Sequence, residues 1–106
     1  MWIGWLVFLV TLTGSALAHD APPTPERPLG WSYPNDCCSG IDCEPVRDED
    51  VLERPVGYVI RMTGEIIPMG DKRIKFSPDN NFHWCRHLQG AEYNKTICLF
   101  VPPRSY

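Results

Sequence analysis

The chain has 106 residues, 43% hydrophobic and 22% charged, with thirteen acids against ten bases and a formal net charge of −3. That length sets one domain as the prior, and the mild, scattered charge excludes the basic stripe that nucleic acid binding needs. The densest basic group, Lys72, Arg73 and Lys75, is flanked by Asp71 and reads as a solvated strand edge.

Residues 1–18, MWIGWLVFLVTLTGSALA, carry no charged side chain and end in Ala16-Leu17-Ala18. This apolar run predicts a signal helix, removed by cleavage before His19. No Lys or Arg precedes it, so either the α-amino group alone supplies the usual positive charge or translation starts upstream. The alternative is an uncleaved helix anchoring the chain to the inner membrane. Its length is near the lower limit for a span, roughly 17–25 residues, and Thr11, Thr13, Gly14 and Ser15 weaken its second half.

His19 to Pro28 reads HDAPPTPERP, which predicts an extended, proline-rich tether over 19–30. The folded part is expected over 31–106. Between Pro34 and Pro45 the residues have loop composition, so NDCCSGIDCEP is expected to be a cross-linked loop. RDEDVLER, 47–54, predicts one or two helical turns, stopped by Pro55 and Gly57. Tyr58, Ile60 and Met62 alternate with Val59 and Arg61, the period of a half-buried strand. Thr63-Gly64 then turns the chain into a return strand over 65–69, confined to an edge by Pro68. Lys72 to Phe76 is a further strand, with Ile74 and Phe76 on one face, and Ser77-Pro78-Asp79-Asn80 has the residues of a type I turn. Residues 81–87 and 96–101 make a last hairpin. The fold expected is mostly β: a small, disulfide-stabilised antiparallel sheet with long loops.

Five cysteines sit in this sequence, three of them in NDCCSGIDC. Export places them where thiols oxidise, and a small core gains from covalent reinforcement. If Cys85 faces Cys98 across the last hairpin, a non-hydrogen-bonded pair holds their Cα atoms at about 4.5 Å, within reach of a disulfide. Closing that loop would contribute on the order of 3 kcal/mol. The pattern favoured is Cys85–Cys98 with Cys38–Cys43, leaving Cys37 as a buried, inert spare thiol. The main rival sends two of the loop cysteines to Cys85 and Cys98 and clamps the loop onto the hairpin.

Other uses of these thiols fare worse. Redox enzymes favour C-x-x-C at a helix N-terminus, whereas here the spacing is CC and C-x-x-x-x-C with Asp36 and Asp42 alongside, which oppose thiolate formation. A thiol-redox accessory using Cys37 or Cys38 therefore remains a minor alternative. Zinc would need paired C-x-x-C spacing, and that is missing. Copper is the sharper alternative: a mature N-terminal His19 offers an amine and an imidazole, and His83 or His87 could complete a nitrogen set suited to Cu(II). Both cannot join it from one strand, where they stand about 13 Å apart at about 3.3 Å per residue. There is no G-x-S-x-G, phosphate-cradling glycine loop or H-E-x-x-H. Asp48, Glu49 and Asp50 are consecutive and form a solvated cluster, not a positioned acid–base pair. Trp31, Tyr33 and Trp84 read as core aromatics.

Taken together, Trp31-Ser32-Tyr33-Pro34, CCSGIDCEPV, SPDNNFHWC and Cys98-Leu99-Phe100-Val101-Pro102-Pro103 resemble a family of small exported alphaproteobacterial proteins. Its members carry CC-x-x-x-D-C near the mature start and end in F-H-x-C followed by C-L-F-x-P-P. The resemblance implies a periplasmic location, which leaves the Asn94-Lys95-Thr96 glycosylation pattern idle, and it implies no activity. The expected function is that of a periplasmic or secreted, non-enzymatic protein without a cofactor. It would act by binding or structure on an unknown protein or envelope partner, with no nucleic acid and no stable membrane insertion.

Overall fold

The computed structural model describes residues 20–38 and 42–103. The expected signal helix over 1–18, and His19 with it, lie outside the described residues. The protein is mostly β. Among the described residues nine strands follow one another: β1 Asp20–Ala21, β2 Trp31–Ser32, β3 Cys43–Val46, β4 Val51–Arg54, β5 Gly57–Ile60, β6 Ile66–Pro68, β7 Ile74–Phe76, β8 Phe82–Arg86 and β9 Thr96–Val101. They form three sheets: the pair β1-β2, the three-stranded β4-β5-β6, and a central β3-β8-β9-β7. Among the described residues no helix is long and apolar enough to cross a membrane.

The last hairpin holds the organising logic. In β8 and β9 nearly every side chain is buried, because successive residues point to opposite faces and both faces are covered. Cys85, Cys98 and Phe100 face one apolar cluster, with Ala21, Tyr33, Cys37 and Cys38 from the N-terminal segment. Phe82, Trp84, Leu99 and Val101 face the other, with Val51, Tyr58, Ile60 and Ile67 from the three-stranded sheet. The central sheet is thus the middle of three layers. Its pattern is that of a buried strand pair, and Ile97 is the extra residue where the register shifts between Cys85 and Arg86, a β-bulge.

Three expected segments take another form. The tether is not free: β1 pairs with β2, and Ala21 is buried in the first core cluster. Gly30 permits this approach, since a Cβ there would lie 2.5 Å from the Ala21 carbonyl oxygen at a φ of +74°. The loop CEPV is a strand, pairing antiparallel with β8. The Arg86 N–H donates to the Asp42 carbonyl, so 42:86 is a hydrogen-bonded pair. By alternation, 43:85 and 45:83 are not. Pro45 therefore loses no ladder bond and turns its missing donor to the open edge, where proline is tolerated. RDEDVLER gives a single 3-10 turn, Asp48–Asp50, before the chain extends into β4. Arg47 closes that turn by donating its backbone N–H to the Asp50 carboxylate at 3.1 Å.

The return strand after Thr63-Gly64 is β6, at the sheet edge with Pro68 as expected. The β7–β9 pairing is parallel. Ile74 packs against the second cluster, whereas Phe76 is 80% exposed at the strand's end. Arg73 also departs from a solvated edge. It donates to Asp71 and Glu65, and Glu65 accepts from the Thr96 hydroxyl, which itself accepts from the Trp84 indole. That chain ties the three-stranded sheet to the central one. The Arg73 hydrogen bonds hold the Asp71 carboxyl down at about 2.

Gly57 opens β5 against Pro68. A Cβ at this position would lie 2.2 Å from the Ile67 carbonyl oxygen, so Gly57→Ala must push β6 outward. The expected cost is about 1–3 kcal/mol, read as a lowered urea midpoint with an unchanged slope.

Candidate functional site

The cysteines come first, because they fix what the other residues can do. Cys85 does stand directly opposite Cys98, but the expected bond between them is absent. Cys43 lies opposite Cys85 on its other side, and the disulfides are Cys43–Cys85 and Cys37–Cys98. The physical reason is the unforeseen strand. Once CEPV joins β8, three cysteines line one face in a row, and Cys85 has two neighbours but one valence. Cys98 is left to Cys37, which arrives from the N-terminal layer with a Cα separation of 5.5 Å. This is the rival clamp, and the Cys38–Cys43 bond is corrected with it. The cysteine outside both disulfides is Cys38, not Cys37, and it is buried.

The candidate copper ligands fare as follows. His19 lies outside the described residues. His87, just past β8, is exposed. His83 is buried with both ring nitrogens occupied: Nε2 lies 2.8 Å and 2.9 Å from the two Asp79 oxygens, and Nδ1 lies 2.8 Å from the Tyr33 hydroxyl. His83 is therefore not available to a metal. Facing a carboxylate, Nε2 carries the proton and donates, so Nδ1 accepts from Tyr33. Asp79 also accepts from the Trp31 indole at 3.0 Å and from the Ser77 hydroxyl at 2.8 Å. Among the described residues no group of three or more His, Cys, Asp or Glu is placed to hold a metal ion.

This Asp–His–Tyr chain has the residue types of a catalytic relay, yet its setting argues for structure. Asp79 and His83 have no exposed surface. Burial pushes the Tyr33 hydroxyl well above the ordinary phenol range, aided by the Asp79 charge, so it stays protonated and is no nucleophile. Burial alone would raise Asp79 as well. The hydrogen bonds from Trp31, His83 and Ser77 outweigh it and hold the carboxyl below its usual value. Trp31 and Tyr33 belong to the N-terminal layer, so the chain fastens that layer to β8 beside the Cys37–Cys98 disulfide. The rings of Trp31 and Tyr33 meet edge to face at 4.9 Å. Tyr33 is core, as read from the sequence, whereas Trp31 is partly buried and packs against the same cluster.

What the fold leaves open is a cleft of about 600 Å³ where β3, the 3-10 turn, β4 and the end of β5 meet. Val46, Val51, Ile60 and Trp84 give it an apolar floor, and Met62, 66% exposed, stands at the rim. Glu44, Arg47, Asp48 and Asp50 supply its charge. Arg47 is committed to Glu49 and Asp50 at 3.4 Å and 3.3 Å, and Glu44 to Arg86 at 3.4 Å. Arg86 lies over the Trp84 ring, 4.6 Å from its centroid. The Arg47 hydrogen bonds hold the Asp50 carboxyl low. No sequence motif marks this cleft, because its residues come from separate stretches that only the sheet register brings together.

The fold and cleft define a class, a small mostly β domain clamped by two disulfides. Compared with family models, curated proteins and solved structures, the chain matches none.

Proposed function

We propose that the protein is a non-enzymatic, exported binding domain of the bacterial periplasm whose ligand site is the cleft beside Trp84. The observation that carries this reading is the cleft itself. It has the size and the mixed lining of a ligand site, an apolar floor with a few polar groups at its rim. The disulfides support it, since Cys37–Cys98 and Cys43–Cys85 suit an oxidising compartment, and Cys43–Cys85 holds β3 to β8, which carry Glu44, Val46 and Trp84. The charge-free run over 1–18 and the resemblance to small exported proteins support the location.

The test is an NMR titration of the protein with a panel of capped tripeptides of varied charge and hydrophobicity. Shifts confined to Val46, Val51, Ile60, Met62 and the Trp84 indole are expected. A panel that moves none of these signals sinks the reading. Mass spectrometry of the protein recovered from a periplasmic fraction should show a chain starting at His19.

A further inference from the structure

We infer that the cleft receives a basic segment of a partner protein, seating the apolar stem of a Lys or Arg side chain on its floor. This rests on the cleft being the binding site. The argument is charge against apolar surface. Three of the four charged side chains lining the cleft are carboxylates. With the flanking Glu49, Arg61 and Arg86 counted, four carboxylates stand against three guanidiniums, Arg47 and Arg86 held in ion pairs and Arg61 donating to the Glu49 carbonyl at 3.5 Å. Asp48 is exposed and in none of these ion pairs. A long cationic side chain matches both halves of such a site. Its methylenes cover Val46 and Val51 while its head stays among the acids in water.

The open edge of β3 narrows how the segment binds. A peptide adding a strand there would draw on ladder donors, but Pro45 faces outward and has none. Strand addition is disfavoured, so recognition falls to side chains. Electrostatic complementarity of this kind acts mainly on specificity and encounter rate, so the complex should be salt-sensitive.

The experiment uses three capped pentapeptides, Ala-Arg-Leu-Arg-Ala, its citrulline counterpart and its glutamate counterpart, titrated by NMR at low and high salt. The arginine peptide should shift Val46, Val51 and Met62 and bind at least about five-fold more tightly than the citrulline peptide. The glutamate peptide should leave those signals unmoved. Asp48→Lys, an exposed change outside the core, should weaken the arginine peptide about five-fold while the rest of the spectrum keeps its dispersion. Equal binding of the citrulline or glutamate peptide overturns the basic partner but keeps the cleft as a site. Failure of all three to move the cleft signals overturns both. Shifts along β6 or β7 instead of the cleft overturn the assignment of the surface.

Discussion

Replacing Cys37 and Cys98 together by serine should cost about 4 kcal/mol of stability. The bond joins positions 61 apart in sequence, so its loss frees the denatured chain over more than half of the described residues. In the native state it fastens the N-terminal layer to the central strand β9, and that layer buries Tyr33, Cys38 and Ala21. Cys43 and Cys85 sit 42 positions apart, and logarithmic dependence on loop length makes their replacement nearly as costly. They also cross-link two strands already paired, so the sheet register should survive. Cys38→Ala provides the contrast. It removes a buried sulfur but no disulfide, and the expected cost is about 1 kcal/mol. Urea denaturation of the three variants measures this order. Peptide mapping without reduction tests the pairing behind it. Cleavage before Asp36 and Asp42 and after Arg47, Arg86 and Lys95 puts Cys43, Cys85 and Cys98 on separate peptides, and the fragment 36–41 should carry the Cys98 peptide. A peptide joining Cys85 to Cys98 would overturn the clamp.

The pairing shows where sequence reasoning reached and where it stopped. The hairpin of 81–87 with 96–101 was legible because two apolar runs flank a polar stretch around Gly90, and even the register setting Cys85 opposite Cys98 could be read. What could not be read was Cys43–Val46. Four residues that include a glutamate and a proline carry no strand signal of their own. They extend because β8 offers them a ladder, and Pro45 fits because it falls on an outward-facing position. That single strand turns the expected hairpin disulfide into two clamps and changes which cysteine is left outside. The parallel β7–β9 pair and the β1–β2 pair were hidden for the same reason, since two- and three-residue strands are made by tertiary contact. The cleft is of this kind too. Glu44, Asp48, Ile60 and Trp84 come together only after β3 pairs with β8 and the 3-10 turn carries the chain on into β4. The Asp79–His83 pair left a fainter trace: an acid in a turn, followed four residues later by a histidine in an apolar strand. Such a histidine is buried and must be satisfied by something nearby.

Asp79→Ala should destabilise the fold by about 3–5 kcal/mol, the cost of breaking a buried, hydrogen-bonded charge site. The carboxylate accepts from Trp31, Ser77, His83 and the Asn81 backbone N–H, and its removal leaves these donors without an acceptor in a region closed to water. Tyr33→Phe removes the hydroxyl that donates to His83 Nδ1, and it should cost about 1 kcal/mol. The acid limb gives an independent check with a defined sign. The folded Asp79 carboxyl titrates below its ordinary value, which is about 3.9 in an unfolded chain. Its contribution is therefore fully present above that value and is lost as pH falls toward the lower folded one, because the unfolded chain takes up the proton first. Asp71 and Asp50 are held low as well, so wild-type protein and Asp79→Asn should both lose stability in acid. The wild type should lose more, and the gap between the two should narrow as pH falls through and below the ordinary carboxylate range. Urea midpoints measured at intervals across that range, with Trp fluorescence as the probe, decide it. A gap that stays constant with pH would mean that Asp79 titrates alike in the folded and unfolded chain, and a gap that widens as pH falls would mean that it is protonated in the native protein, with His83 held by a neutral acid rather than by a carboxylate.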